Sequence, residues 1–189
     1  MSNKKKPVDD VAPTRLSATS YLVLGLVGLR GPSTPYDLKV AVSRSISYFW
    51  PFPHSQLYSE PERLMTAGLL LHEQEETGRR RRLYSLTPAG REALVAWLRT
   101  PPREVFEMRD MAVMQLFFSE FIEERELVAL AKDQMRLYQE RLEIYRGILE
   151  RNLQTHGRRR RMAPLDLGMR LSTVCLEFWS EIASKPPPK

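Results

Sequence analysis

A helix that stops at a glycine and runs straight into a hairpin tipped with four consecutive arginines narrows this chain more than any other stretch. Residues 53–90 read PHSQLYSEPERLMTAGLLLHEQEETGRRRRLYSLTPAG. Ala67 and Gly68 break the first helix, glycine being the residue that most readily closes a helix end. Leu69, Leu70 and Leu71 begin one strand, and Arg82 to Leu86 supply the other. Gly78 permits the turn between them, and Arg79, Arg80, Arg81 and Arg82 load it with charge. Thr87 and Pro88 restart a helix, Thr as its cap and Pro at the first helical position. A helix followed by a basic β-wing is a winged helix-turn-helix, an arrangement that serves duplex DNA.

The warrant for DNA is steric and electrostatic. An α-helix fits the major groove, and polar side chains of its first turns reach base edges. His54, Ser55, Gln56, Tyr58 and Ser59 stand at or near that helix start, with Arg63 one turn on. Lys39 and Arg44 of the preceding helix add cations for phosphates. An arginine-tipped hairpin lies along the backbone or enters the minor groove, releasing counterions. A lone RRRR is usually a solvated loop; its place on a hairpin directly after a helix favours nucleic acid. The charge distribution agrees. Residues 1–100 hold 14 Lys and Arg against 9 Asp and Glu, whereas residues 101–189 hold 15 against 14. The first half is the one that faces a polyanion.

In chain order, residues 1–15 are polar and without periodicity and are expected to be a flexible extension. Residues 16–100 form the winged-helix domain, opening with a helix capped by Ser17 or Thr19 and apolar nearly all round. Thr34 and Pro35 start a second helix, with Leu38, Ala41 and Val42 as its buried stripe. The aromatic run Tyr48, Phe49, Trp50 and Phe52 is expected to pack onto its own domain. Thr100-Pro101-Pro102 ends the last helix of this domain.

Residues 101–184 read as all-helical, with 185–189 a short flexible tail. Met135, Tyr138, Leu142, Tyr145 and Leu149 alternate three and four apart, the spacing of a coiled-coil seam. Leu167, Leu171, Val174, Phe178 and Ile182, with Trp179 beside them, repeat the pattern on a last helix. Between the two stands a second tetra-arginine run, Arg158 to Arg161, which the pattern assigns to a loop. The seams predict a homodimer, because a second copy covers both stripes and sets two reading helices about one DNA turn apart. The expected interface is therefore Met135, Tyr138, Leu142, Tyr145, Leu149, Leu171, Val174, Phe178, Trp179 and Ile182. Trp97, Met111 and Phe117, near the domain junction, are candidates to line an effector pocket, although such residues more often form core.

Taken together, PYDL (Pro35 to Leu38), SQLY (Ser55 to Tyr58), RLMTAGLL (Arg63 to Leu70), GRRRRLYSLTPAG (Gly78 to Gly90) and the REAL after it carry a resemblance. They resemble the PadR family of bacterial transcriptional regulators, and the C-terminal helices are similar to the dimerisation region of its larger, AphA-like subfamily. The resemblance implies a mainly α fold with a small β-wing, joined to a helical, coiled-coil-like dimerisation domain. It implies a dimeric DNA binder, commonly a repressor, sometimes answering a small hydrophobic or aromatic effector. On it, Tyr58 matches the family's recognition-helix tyrosine, and Ser55 and Gln56 its base-facing end. Pro61 departs from the family's usual leucine and predicts a kink, or a late helix start with Ser59 as cap.

Other classes fare worse. His54, His72 and His156 lie far apart without cysteines or carboxylates at ligand spacing, and no glycine-rich phosphate loop is present. Neither an enzyme nor a cofactor or metal is expected. A winged-helix protein–protein scaffold without specific DNA binding is the alternative, and it leaves the wing arginines without a task. One cysteine, Cys175, suits a reducing cytoplasm, and no apolar run approaches a membrane span.

Overall fold

The computed structural model describes residues 15–48, 50, 53, 55–74, 81–156 and 160–188. The chain divides into two compact units, Met1–Glu104 and Val105–Lys189.

The first unit is assembled by reciprocal caps. Ser17 Oγ accepts from the Ser20 N–H while Ser20 Oγ accepts from the Ser17 N–H, starting α1 (Ala18–Arg30). Thr34 and Asp37 do the same for α2 (Pro35–Ser43). The hydroxyl and N–H of Thr34, both donated to Asp37, hold that carboxyl below the usual aspartate range. Helix α3 (Gln56–Thr66) ends in a Schellman turn: Gly68, at φ 73°, donates to Met65 and Leu69 donates to Leu64. β1 (Leu70–Gln74) and β2 (Arg82–Leu86) pair antiparallel, with Leu70 opposite Leu86 and Gln74 opposite Arg82. Thr87 then caps α4 (Pro88–Arg99), accepting from the Gly90 N–H and donating its hydroxyl back to the carbonyls of Gly68 and Leu69. One side chain thus ties the end of α3 to the exit of the wing.

Ser33 pairs with Tyr84 in an isolated antiparallel bridge, an unanticipated contact that pins β2 to the α1–α2 turn. Val23, Leu24, Leu26 and Val27 of α1, Leu38, Ala41 and Val42 of α2, Leu57 and Leu64 of α3, and Leu70 and Tyr84 form one core. Burying Leu57 and Leu64 stabilises by about 2–3 kcal/mol each, and this fixes which face of α3 turns inward. The late start at Ser59 does not occur, because α3 begins at Gln56 and continues through Pro61. The proline lacks an N–H for the Leu57 carbonyl, but its fully buried ring packs in the core and offsets that loss.

The second unit holds α5 (Met111–Phe117), α6 (Glu124–His156) and α7 (Ala163–Ser184). Asp110 caps α5 by accepting from the Ala112 and Val113 N–H groups, and it also accepts from the Tyr138 hydroxyl, docking α5 on α6. Burial pushes the Tyr138 hydroxyl far up, helped by its contacts with Cys175 and Asp110. Trp179, Ala112 and Ala131 are buried together, with Leu116, Leu130, Met135, Tyr138 and Ile182 packed on them. At Gly168 of α7 a side chain would stand 3.1 Å from the Tyr145 ring of α6. Helices α6 and α7 are therefore close antiparallel neighbours within one chain. Arg160 and Arg161 sit in a short 3-10 turn before α7; Arg158 lies outside the described residues.

Candidate nucleic-acid interface

The inward set Leu57, Glu60, Pro61 and Leu64 leaves the other side of α3 in solvent. Ser55 occupies the N-cap position without a side-chain cap bond, and Tyr58 and Ser59 follow, all three exposed. Gln56 is exposed too, but its Oε1 accepts from Thr19 Oγ1 at 2.7 Å. One lone pair of the amide oxygen is thus taken up by α1. His54, expected beside them, lies outside the described residues, as do Arg79 and Arg80 of the wing. Arg81 and Arg82 are exposed at the start of β2, and Arg82 Nη1 contacts both Glu62 oxygens at 3.0 and 3.3 Å. Lys39 and Arg44 are exposed on and just after α2.

Arg63 is engaged within the unit. Its Nε and Nη2 donate to Glu60 at 3.0 and 2.6 Å, Nη2 also reaches Ser20 Oγ at 2.8 Å, and Nη1 reaches the Arg15 carbonyl. Its charge is answered by Glu60, and it straps α3 to α1. Sequence reasoning also passed over Ser20, Thr19, Glu60 and Glu62. The three-residue spacing of Glu60 and Arg63 was the available signal.

Burial alone would raise the Glu60 pKa, but hydrogen bonds from Arg63 and Ser20 outweigh it and hold the carboxyl below its ordinary value. A carboxyl depressed by folding stabilises the fold above its unfolded pKa, near 4.5, and that contribution is lost as pH falls through the folded value. Glu60→Gln is expected to cost about 1–2 kcal/mol at neutral pH, discounted for the part-exposed Arg63. The deficit relative to wild type should shrink below about pH 4.5. Urea denaturation at pH 7 and pH 3.5 checks this; a deficit of equal size at both would remove Glu60 from the acid response.

The expected dimer seam divides. Leu142, Tyr145 and Trp179 are buried inside their own unit, and Met135, Tyr138 and Ile182 are packed there. Leu149 is half-buried. The α6 seam packs against α7 of the same chain. Leu171, Val174 and Phe178 are different: they are 43%, 61% and 40% exposed.

The expected effector residues are not gathered in one described cavity. Trp97 stacks on Tyr21 in the first unit, ring centroids 4.6 Å apart and nearly parallel. Met111 and Phe117 belong to the second unit, exposed on α5, where Phe117 meets Phe118 edge-on. That unit has an open groove of about 370 Å3 lined by Met114, Phe118, Ser119, Ile122 and Leu130. Among the described residues no cluster of His, Cys, Asp and Glu could hold a metal, and no helix is long and apolar enough to cross a membrane.

The family model of the transcriptional regulator PadR-like family matches residues 23–96, and that of the virulence activator alpha C-terminal region matches residues 108–185. The negative transcriptional regulator PadR of Bacillus subtilis is 26% identical over 133 residues, covering 69% of this chain and 72% of that protein. The structure of Bacillus subtilis PadR in complex with operator DNA superimposes with a TM-score of 0.79 at 20% identity, over 90% of this chain and 100% of that one. Its complex with p-coumaric acid gives 0.74 at 18% identity, over 93% and 100%. The Vibrio cholerae virulence activator AphA gives 0.70 at 21% identity, over 89% and 97%. These structures share the fold of this chain.

Proposed function

We propose that this chain, which matches the PadR-like family model over residues 23–96, is a member of that family of transcriptional regulators and a cytoplasmic repressor that binds a near-palindromic operator as a homodimer. The carrying observation is the pairing of surfaces on the first unit. The outward face of α3 is polar and exposed, and Arg82 of the wing lies against it. Ser55, Gln56, Tyr58 and Ser59 read bases in the major groove, while Lys39, Arg44 and the wing arginines Arg79 to Arg81 meet phosphates, and Arg82, paired with Glu62, holds the wing against α3. His54 joins the reading set at the helix start.

The homodimer reading rests on α7. Leu167, Leu171, Val174 and Phe178 follow at spacings of four, three and four, all exposed on one face. Leu137 and Ile144 of α6, seven residues apart, are exposed as well. A stripe of that length on a water-soluble bundle calls for a cover, and a second copy supplies it symmetrically. The repressor sign follows the name of the Bacillus subtilis relative. A small aromatic or hydrophobic effector follows the p-coumaric acid complex of the Bacillus subtilis relative.

Fluorescence anisotropy on DNA from upstream of the protein's own gene, against a scrambled duplex at two salt concentrations, tests this reading. Tight binding that exceeds the scrambled control and survives salt supports it. Weak binding, equal on both and lost with salt, removes it and favours a protein–protein scaffold. The Arg81→Ala variant should weaken binding on every sequence. Its log–log salt dependence should be shallower by about 1; an unchanged slope would show that this arginine touches no phosphate.

A further inference from the structure

A carboxylate stands in the middle of the surface that this reading turns toward a polyanion. Ser55, Ser59, Glu62 and Thr66 succeed one another at spacings of four, three and four, which makes them one ridge of a 3.6-residue helix. That ridge lies opposite the buried Leu57, Pro61 and Leu64. The Glu62 side chain is 54% exposed. An uncompensated acid there would repel phosphates and weaken any sequence-blind contact. The wing prevents this. Arg82 Nη1 sits 3.0 and 3.3 Å from the two oxygens of Glu62, so the pair presents no net charge.

One guanidinium nitrogen does not exhaust a carboxylate. Both oxygens keep lone pairs for a further donor, and an ionised glutamate can only accept. In the major groove this limits what it tolerates. Guanine shows N7 and O6 and thymine shows O4, acceptors that face its lone pairs unfavourably. Adenine sets its acceptor N7 beside the amino group. Cytosine alone offers the N4 amino group without a neighbouring acceptor on the same base.

We propose that Glu62 is a specificity-determining residue that accepts a hydrogen bond from the N4 amino group of a cytosine in each half-site. Arg82 positions it and cancels its charge toward the backbone. The inference rests on the operator-binding reading above. Its rival is that the pair merely braces the wing on α3.

Selection from a pool of randomised duplexes, using the full-length protein, separates the two. Wild type is expected to enrich sequences with cytosine at one position of each half-site, by about tenfold over the other bases. Glu62→Ala should keep the rest of the motif and lose preference at that position alone. Glu62→Gln should move the preference toward adenine, whose N6 and N7 pair with an amide. The same base preference in all three proteins overturns the proposal, and so does loss of selectivity at every position at once, which would mark a brace. Enrichment of no sequence by wild type overturns the regulator reading and this one with it.

Discussion

Trp179→Ala is expected to destabilise the second unit by about 4 kcal/mol, the cost of removing a buried tryptophan and leaving a cavity that the helices close only in part. The indole is 1% exposed and gathers Ala112, Ala131, Leu116, Leu130, Met135 and Tyr138, so it is where α5, α6 and α7 meet. Its neighbour Phe178 makes the control. The two rings touch edge-on at 5.3 Å, yet Phe178 is 40% exposed. Phe178→Ala should change stability by less than about 1 kcal/mol at a concentration where the protein is monomeric, and should weaken self-association. Urea denaturation followed by circular dichroism, with sedimentation velocity beside it, measures both. Equal stability losses for the two variants would refute the division into an inner and an outer face.

Gly90→Ala should cost about 3 kcal/mol and lower the Tm by more than about 10 °C. An added Cβ would stand 2.1 Å from the Leu69 carbonyl oxygen and 3.0 Å from Leu86 Cδ1. The obstacle is backbone, and that backbone is the joint where Thr87 ties α3 to the wing. Relief of the clash therefore displaces the wing, and DNA affinity should fall along with stability. Gly25→Ala provides the opposite sign, since nothing lies within 4 Å of its Cβ position and α1 should gain about 0.5–1 kcal/mol. Thermal melts of the two variants decide; a neutral Gly90→Ala would mean the joint is loose.

Most of the element order was legible because it is written in local punctuation. Thr34-Pro35, Gly68 and Thr87-Pro88 each act within a turn of themselves, and they mark helix starts and stops where the structure has them. The fate of the apolar seams was not legible. A three-four spacing is the same whether the partner helix belongs to the same chain or another, and for α6 it belongs to the same chain. The partners of Arg63 were not legible for a related reason: a cation in sequence carries no direction, and a carboxylate one turn back holds it. The Ser33–Tyr84 bridge joins residues 51 positions apart through one backbone pair, which leaves no pattern to find. Pro61 was read through its missing N–H, whereas the burial of its ring decided the outcome.

The hydrogen bond from Thr19 to Gln56 has a consequence for the cost of recognition. A glutamine side chain free in solvent surrenders rotational freedom when it docks on a base, a loss on the order of 0.5–1.5 kcal/mol. Here part of that ordering is complete before DNA arrives, done by a residue of α1. On the proposed reading, affinity for the operator depends on a threonine outside the base-reading set. Preference can drift through changes at Thr19 while the residues that read the bases stay as they are.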